Sequence, residues 1–286
     1  DNDLPETYSC PGFGTVAKYI STSTLEASLD VSSMANSSTK VFLLEVMGRH
    51  AGWLAASSGV ISKLNNNAPH IILFPEIQFD RMKFLNKIKH SVQRDGYCVI
   101  VASEGIKDKQ GKFISATDSK DSFGHSHLGG VAPKLAKIIT DSLNLKVHWA
   151  VADYLQRSSR HIGSKADVKQ AYLVGKESIN LLKKNIKDVM VTIQRGKTKN
   201  SWGSSFVKLD KVANREKKLP RKFITKDGFG ITKRCKTYVN ELILGEDIPP
   251  FKNGLPDYAK LSLKLIKKKL ESTIFFLIHI KSMMLN

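Results

Sequence analysis

The chain has 286 residues, 41% of them hydrophobic, and carries 45 Lys and Arg against 26 Asp and Glu, a formal net charge of +19. That apolar content can build a large core, and the length suits one or two domains. Cys10, Cys98 and Cys235 have no paired spacing, which argues against a disulfide framework or a zinc site, and no apolar run approaches the ~20 residues that span a bilayer, so a cytoplasmic chain is expected.

Taken in chain order, a helical pattern covers 15–32, an apolar strand 41–46 and a small-residue helix 51–63. Strand 70–74, helix 79–94 and strand 98–103 follow, then a polar, glycine-containing surface loop over 107–121. Helix 130–143, strand 147–154, helix 167–182 and strand 189–194 complete the alternation, with a second loop at 198–204. The strands are apolar almost throughout, as both faces of a parallel sheet require, and their alternation with helices predicts a three-layer parallel α/β fold. No repeat of solenoid length is visible.

The lysines concentrate at 183–184, 211–236 and 267–269 with few aromatic residues between them and no nucleic-acid-binding module. A solvated basic surface that attracts anionic substrates accounts for them; no nucleic-acid or membrane partner is expected. His125 and His127 flank Ser126 in a glycine-rich segment, yet no cysteine or carboxylate has the spacing of a metal site. His50 reads as a brace for the helix start and His161 as a group orienting nearby arginines.

Residues 40–53, KVFLLEVMGRHAGW, run an apolar strand into Met47-Gly48-Arg49 and then a small-residue helix start. Glycine lets the backbone approach a ligand, the first helical amides lack internal partners, and arginine supplies a forked cation, so the junction suits a phosphate ester. A tight turn with a surface arginine explains the same segment equally well. Further segments narrow the choice: Asp1-Asn2-Asp3-Leu4-Pro5, Cys10-Pro11-Gly12-Phe13-Gly14, Ala102-Ser103-Glu104-Gly105, Phe123-Gly124-His125, Leu128-Gly129-Gly130-Val131-Ala132-Pro133 and Asp153-Tyr154-Leu155-Gln156-Arg157-Ser158-Ser159-Arg160-His161. Taken singly, Glu104 could be a solvated strand end or a cap, and Tyr154 a core aromatic.

In this order the segments resemble the phosphofructokinase family, and the MGRHAGW and DYLQR wording is similar to its pyrophosphate-dependent branch. The resemblance runs to about residue 260. It implies transfer of a phosphoryl group from pyrophosphate, with ATP as a less favoured donor, to the 1-hydroxyl of fructose 6-phosphate, with Mg²⁺ as cofactor. On that resemblance Asp1 is the proton acceptor, Asp3 the second acid of its loop and Arg49 a catalytic cation. Met47, Gly48, Arg49 and Glu104 would hold the sugar, and Tyr154 with Arg157 its phosphate. Lys40 would reach a neighbouring subunit's site, so a homo-oligomer is expected; His148 stands where ATP-dependent members tend to have an arginine.

The resemblance also implies that residues 12–157, completed by about 215–260, form the fructose 6-phosphate domain, and that 1–11 and 158–214 are a remnant of the donor domain. The glycine-rich donor loop and its metal ligand would lie upstream of residue 1. A C-terminal helix with an atypical tail is expected over 261–286, the part from 272 onward matching nothing in the family. The alternative is a catalytically silent relative that binds sugar phosphate or pairs with a complete subunit.

Overall fold

In a computed structural model the described residues are 1–64, 68–120, 126–128, 130–198 and 201–262, with the backbone alone described at 63, 116–120 and 126–128. Two compact units are present, Asp1–Ile248 and Pro249–Asn286. The C-terminal tail beyond 262, Phe123, Gly124 and His125 lie outside the described residues.

The first unit is built on four parallel strands. β1 (Val41–Val46), β2 (Ile71–Leu73), β3 (Cys98–Ser103) and β6 (Val147–Val151) lie in the order β2-β3-β1-β6. Two short strands, β4 (Ala116–Lys120) and β5 (Ser126–Leu128), intervene in sequence and pair antiparallel apart from that sheet. Alternation along the central strands divides the core. Leu44, Val46, Ile72 and Val101 pack with α1 (Phe13–Met34), α2 (Trp53–Ser57) and α7 (Lys233–Leu242). Val41, Leu43, Ile71, Ile100 and Ala102 face α3 (Arg81–Asp95) and α4 (Val131–Leu143) on the other side. Side chains of successive strand residues point to opposite faces, so an apolar strand is compatible only with a helix layer on each side. The predicted three-layer α/β fold is observed.

Local chemistry sets several helix limits. Asp80 accepts hydrogen bonds from the Met82 and Lys83 amides, both at 3.1 Å, and Gly96 closes α3 in the left-handed conformation. α1 buries serines and threonines because their hydroxyls turn back on the helix: Ser21 donates to the Ala17 carbonyl at 2.7 Å and Thr24 to that of Ile20 at 2.6 Å.

Several predicted elements are corrected. The helix over 51–63 is a short α2 that tightens into a 3₁₀ segment, Ser58–Lys63, where the Ser57 and Ser58 hydroxyls take carbonyls only three residues back, Leu54 and Ala55. The strand over 147–154 stops at Val151: Asp153, with φ of 36°, turns the chain into α5 (Asp153–Arg157). β6 is moreover an edge strand, with Trp149 48% and Val151 41% exposed, rather than one covered on both faces.

Segment 189–194 does not join the parallel sheet. As β7 (Val189–Arg195) it forms an antiparallel hairpin with β8 (Trp202–Lys208), packed on α6 (Lys165–Lys183). β8 occupies part of the stretch expected as loop, and β4 occupies the end of the loop expected over 107–121. In the second unit, β9 (Phe251–Lys252) and β10 (Leu255–Pro256) make a hairpin whose Asn253-Gly254 turn has positive φ at both residues, as a type I′ turn requires.

Candidate active site

The carboxyl ends of β3, β1 and β6 lie side by side, the edge where open α/β sheets bind ligands. β1 ends in Met47-Gly48-Arg49. Gly48 has φ of 136°, and a Cβ there would come within 2.7 Å of the Ala51 carbonyl and 2.8 Å of Ser103 Oγ. Only glycine fits. Its amide donates to Glu104 Oε1 at 3.1 Å, while the Glu104 amide donates to the Val46 carbonyl at 2.9 Å, so the ends of β1 and β3 are cross-linked. Gly105 completes the packing: a Cβ there would lie 1.9 Å from the Arg49 carbonyl oxygen.

A buried glutamate supports the same edge from beneath. Glu45 accepts from the Ala132 amide at 2.7 Å at the start of α4, where Gly130 offers no side-chain cap. Burial holds its carboxyl above the ordinary range, opposed by the Ala132 and Val131 amides and reinforced by the nearby charges of Glu104 and Asp153. Glu76 plays a comparable part at α2, accepting from the Gly52 amide at 2.9 Å and the Leu219 amide at 2.8 Å.

The opening loop is anchored through Asn2, which is fully buried. Its Nδ2 donates to the Tyr238 hydroxyl at 2.7 Å and its Oδ1 accepts from the Cys10 amide at 3.0 Å. Tyr238 in turn donates to the Tyr8 carbonyl at 2.5 Å. Lys217 closes the arrangement: its amide donates to the Asp3 carbonyl at 2.5 Å, its ammonium donates to the Thr7 carbonyl at 3.0 Å, and it lies 5.3 Å from the Trp53 ring centre. Desolvation lowers the Lys217 pKa, with the charges of Cys10 and Asp3 opposing.

On the β6 side, α5 presents Tyr154 and Arg157. The guanidinium stacks 5.2 Å from the Tyr154 ring centre, and both residues are exposed. Among the described residues Arg157 has no ion-pair partner, whereas Arg160, three residues on, is taken by the carboxylate and carbonyl of Asp247. A cavity of about 620 Å³ opens beside α5, lined among others by Asp1, Met47, Gln156, Arg157 and Asp167.

The sequence-derived residues therefore divide. Asp1, Met47 and Arg157 meet at one cavity; Gly48 and Glu104 are bonded to each other beside Met47; Tyr154 backs Arg157. Asp3 and Arg49 do not line that cavity, although Arg49 belongs to the same junction. Lys40 is at the opposite end of β1, about 20 Å away for a six-residue strand. Its ammonium donates to the Ala35 carbonyl at the end of α1. His50 pairs with Glu216 at 2.7 Å and stacks on Phe113, so its contacts are with distant segments and not with the helix start it was expected to brace; His161 packs edge-on against Tyr19. His127 has only its backbone described. Among the described residues no group of three or more His, Cys, Asp or Glu side chains is placed to hold a metal, and no helix is long and apolar enough to cross a membrane.

The supporting residues Asn2, Glu45, Glu76, Lys217 and Tyr238 escaped sequence reasoning, since their partners are distant in the chain. α7 was not among the expected helices either, although Cys235, Val239 and Leu242, all buried, recur at i, i+4 and i+7.

Known proteins resemble this chain over nearly its whole length. The chain is 52% identical over 271 residues to a pyrophosphate–fructose 6-phosphate 1-phosphotransferase of Halomonas elongata, covering 94% of this chain and 65% of that protein. It is 51% identical over 276 residues to the enzyme of that name from Methylococcus capsulatus, covering 96% of this chain and 65% of the relative. The chain thus spans a little under two thirds of these curated relatives. The crystal structure of a pyrophosphate-dependent phosphofructokinase from Nitrosospira multiformis superposes with a TM-score of 0.85 at 51% identity, covering 95% of this chain and 65% of that one. The phosphofructokinase family model matches residues 1–182, more than half of the 286, and the chain therefore belongs to the phosphofructokinase family.

Proposed function

We propose that this chain carries the sugar-phosphate site of an enzyme that transfers a phosphoryl group from pyrophosphate to the 1-hydroxyl of fructose 6-phosphate, giving fructose 1,6-bisphosphate. The observation that carries the reading is the cavity uniting Asp1 with Arg157, a carboxylate and an arginine without an ion-pair partner among the described residues. Arg157, steadied by the Tyr154 ring, would grip the 6-phosphate through two parallel hydrogen bonds. Asp1 would accept the proton of the 1-hydroxyl as that oxygen bonds to the terminal phosphorus of pyrophosphate, the bridging P–O bond breaks and phosphate leaves. Met47, Gly48, Arg49 and Glu104 would shape the sugar's seat, Gly48 by bringing the backbone close and Glu104 by holding the Gly48 amide. Asp3 would support the loop beside Asp1.

In this reading residues 12–157 carry the sugar-phosphate site and 158–214 belong to the donor side. Pyrophosphate rather than ATP is favoured by the names of relatives about half identical over nearly the whole chain. Mg²⁺ would accompany the donor, held chiefly by phosphate oxygens. Self-association is part of the same proposal, supported by Lys40 and His148 lying at one end of adjacent strands with β6 open at the sheet edge.

Calorimetric titration with fructose 6-phosphate, followed by assay with pyrophosphate and Mg²⁺, tests the reading. Saturable binding, weakened ~10-fold or more in Arg157→Ala, is the expected result, and no binding, or equal affinity in the variant, overturns the site. In a form that turns over, Asp1→Asn should leave binding intact and cut the rate by a factor on the order of 10² to 10⁴. Binding without turnover would identify a silent sugar-phosphate-binding relative, and turnover with ATP alone would replace the donor.

A further inference from the structure

Residues 216–219 have no regular secondary structure, yet Glu216, Lys217 and Leu219 are bonded to the two segments that bring Asp1 and Met47 to the cavity. On the side of the opening loop, the Lys217 amide donates to the Asp3 carbonyl, and its ammonium donates to the carbonyls of Thr7 at 3.0 Å and Tyr8 at 3.4 Å. On the side of the Met47-Gly48-Arg49 junction, Trp53 Nε1 donates to the Lys217 carbonyl at 2.7 Å. The Leu219 amide shares Glu76 Oε1 with the Gly52 amide, at 2.8 and 2.9 Å, and Glu216 pairs with His50, the neighbour of Arg49, at 2.7 Å.

Lys217 is the centre of this strap. Its amide faces Asp3 and its carbonyl faces Trp53, so a single residue reaches from the opening loop to the start of α2. Drawing an ammonium out of water is unfavourable; here the two carbonyls, the Asp3 charge and the Trp53 ring, 5.3 Å from the nitrogen, offset it. An apolar side chain of similar length would fill the space without that cost, so packing does not account for the lysine. Asn2 holds the same loop on α7, whereas Lys217 bonds it to α2.

We propose that residues 216–219 set the distance between Asp1 and the seat of the sugar, with Lys217 as the positioning residue that brings the Asp1 carboxylate within reach of the 1-hydroxyl. A base must lie within about 2.6–3.2 Å of the oxygen whose proton it takes, and a displacement of ~1 Å is enough to lose that bond. The 6-phosphate end belongs to Arg157 on α5, a separate element, so the two ends of the ligand should respond separately to a change in the strap. The inference rests on the sugar-phosphate reading given above.

The test measures, by calorimetry, the binding of fructose 6-phosphate and of its analogue lacking the 1-hydroxyl to the native chain and to Lys217→Met, which keeps an apolar stem and removes the charge. The native chain should prefer fructose 6-phosphate by about 3- to 10-fold, the range of one ordinary hydrogen bond, and Lys217→Met should lose that preference while binding the analogue as the native chain does. A residue that only holds the fold would weaken both ligands alike. A folded Lys217→Met that keeps the preference, or one that weakens both ligands equally, overturns the proposal and leaves the sugar-phosphate reading in place, as does a native chain that binds the two ligands equally well. If Lys217→Met does not fold, Trp53→Phe cuts the strap's bond to α2 from the other side; it should reduce the same preference, and an unchanged preference there overturns the proposal. Failure of the native chain to bind either sugar phosphate overturns both the proposal and the reading it rests on.

Discussion

The carboxamide of Asn2 donates to the hydroxyl of Tyr238 at 2.7 Å, joining residues 236 positions apart. Asp1 accepts from the Asn2 amide at 2.7 Å. Its position at the cavity follows from Asn2, which is locked to α7 by Tyr238 and to the Cys10 amide by its own oxygen.

Replacing Asn2 by Ala strips the Cys10 amide of its acceptor and removes a donor from Tyr238, both in buried surroundings. The expected loss of stability is about 1–3 kcal/mol, read from urea denaturation. Tyr238→Phe should fall in the same range, since its hydroxyl joins Asn2 to the Tyr8 carbonyl. Unchanged midpoints for both would show that the opening loop is not held this way.

Arg157 and Arg160 should respond oppositely to alanine substitution although they are three residues apart. Arg157→Ala is expected to weaken fructose 6-phosphate binding by ~10-fold or more with little effect on unfolding, because among the described residues no ion pair holds the guanidinium. Arg157→Lys should recover only part of the affinity, lacking the fork. Arg160→Ala should instead lower stability by about 1 kcal/mol, losing its contacts with Asp247. Calorimetry and thermal unfolding on the same preparations would separate the two.

Glu45 makes stability fall with rising pH. Its folded-state carboxyl is held above the ordinary range, chiefly by burial, so the folded chain keeps this proton longer than the unfolded chain does. The favourable contribution is complete below the ordinary glutamate pKa and is lost as pH rises through the folded value. Glu45→Gln keeps an acceptor for the Ala132 amide, 2.7 Å away in the native protein, and removes the ionisation. The variant should gain stability relative to the native chain as pH rises from about 4.5 toward 7. Parallel stability curves over that interval would count against the assignment.

Asp167 holds the first turn of α1 from α6, accepting three hydrogen bonds at 2.6–2.9 Å while only 4% exposed. Asp167→Ala leaves the Gly12 and Thr15 amides without partners and is expected to cost about 3 kcal/mol. Asp167→Asn retains one acceptor and should cost less. Equal losses in the two variants, measured by thermal unfolding, would mean that side-chain volume matters more than the bonds.

Much of the sheet was legible because its signals are local. The apolar runs of β1 and β3 could be satisfied only between two helix layers, and Asp80 and Gly96 bound α3 by chemistry within a few residues of each end. The edge strand and the hairpin were not legible. β6 is as apolar as β1, but which strand has a neighbour on both sides depends on the order of the sheet, and the same holds for β7, whose partner is β8. α5 was read as part of a strand because five residues are too few for a helical period, and the turn at Asp153 depends on a backbone strain that residue identity does not announce.

By itself the sequence determined the parallel α/β class, the Gly48 junction and the residue types that meet at the cavity, since each follows from periodicity, backbone freedom or motif wording. The tertiary structure alone decided which of them meet: it joined Asp1, Met47 and Arg157 at one cavity, placed Lys40 at the far end of β1 and held Arg160 on Asp247. Hydrogen bonds such as Asn2 to Tyr238 and Glu45 to Ala132 close over separations of 236 and 87 residues. No local pattern encodes them. They form where packed layers bring a donor and an acceptor together away from water, and that is a property of the assembled core rather than of any stretch of chain.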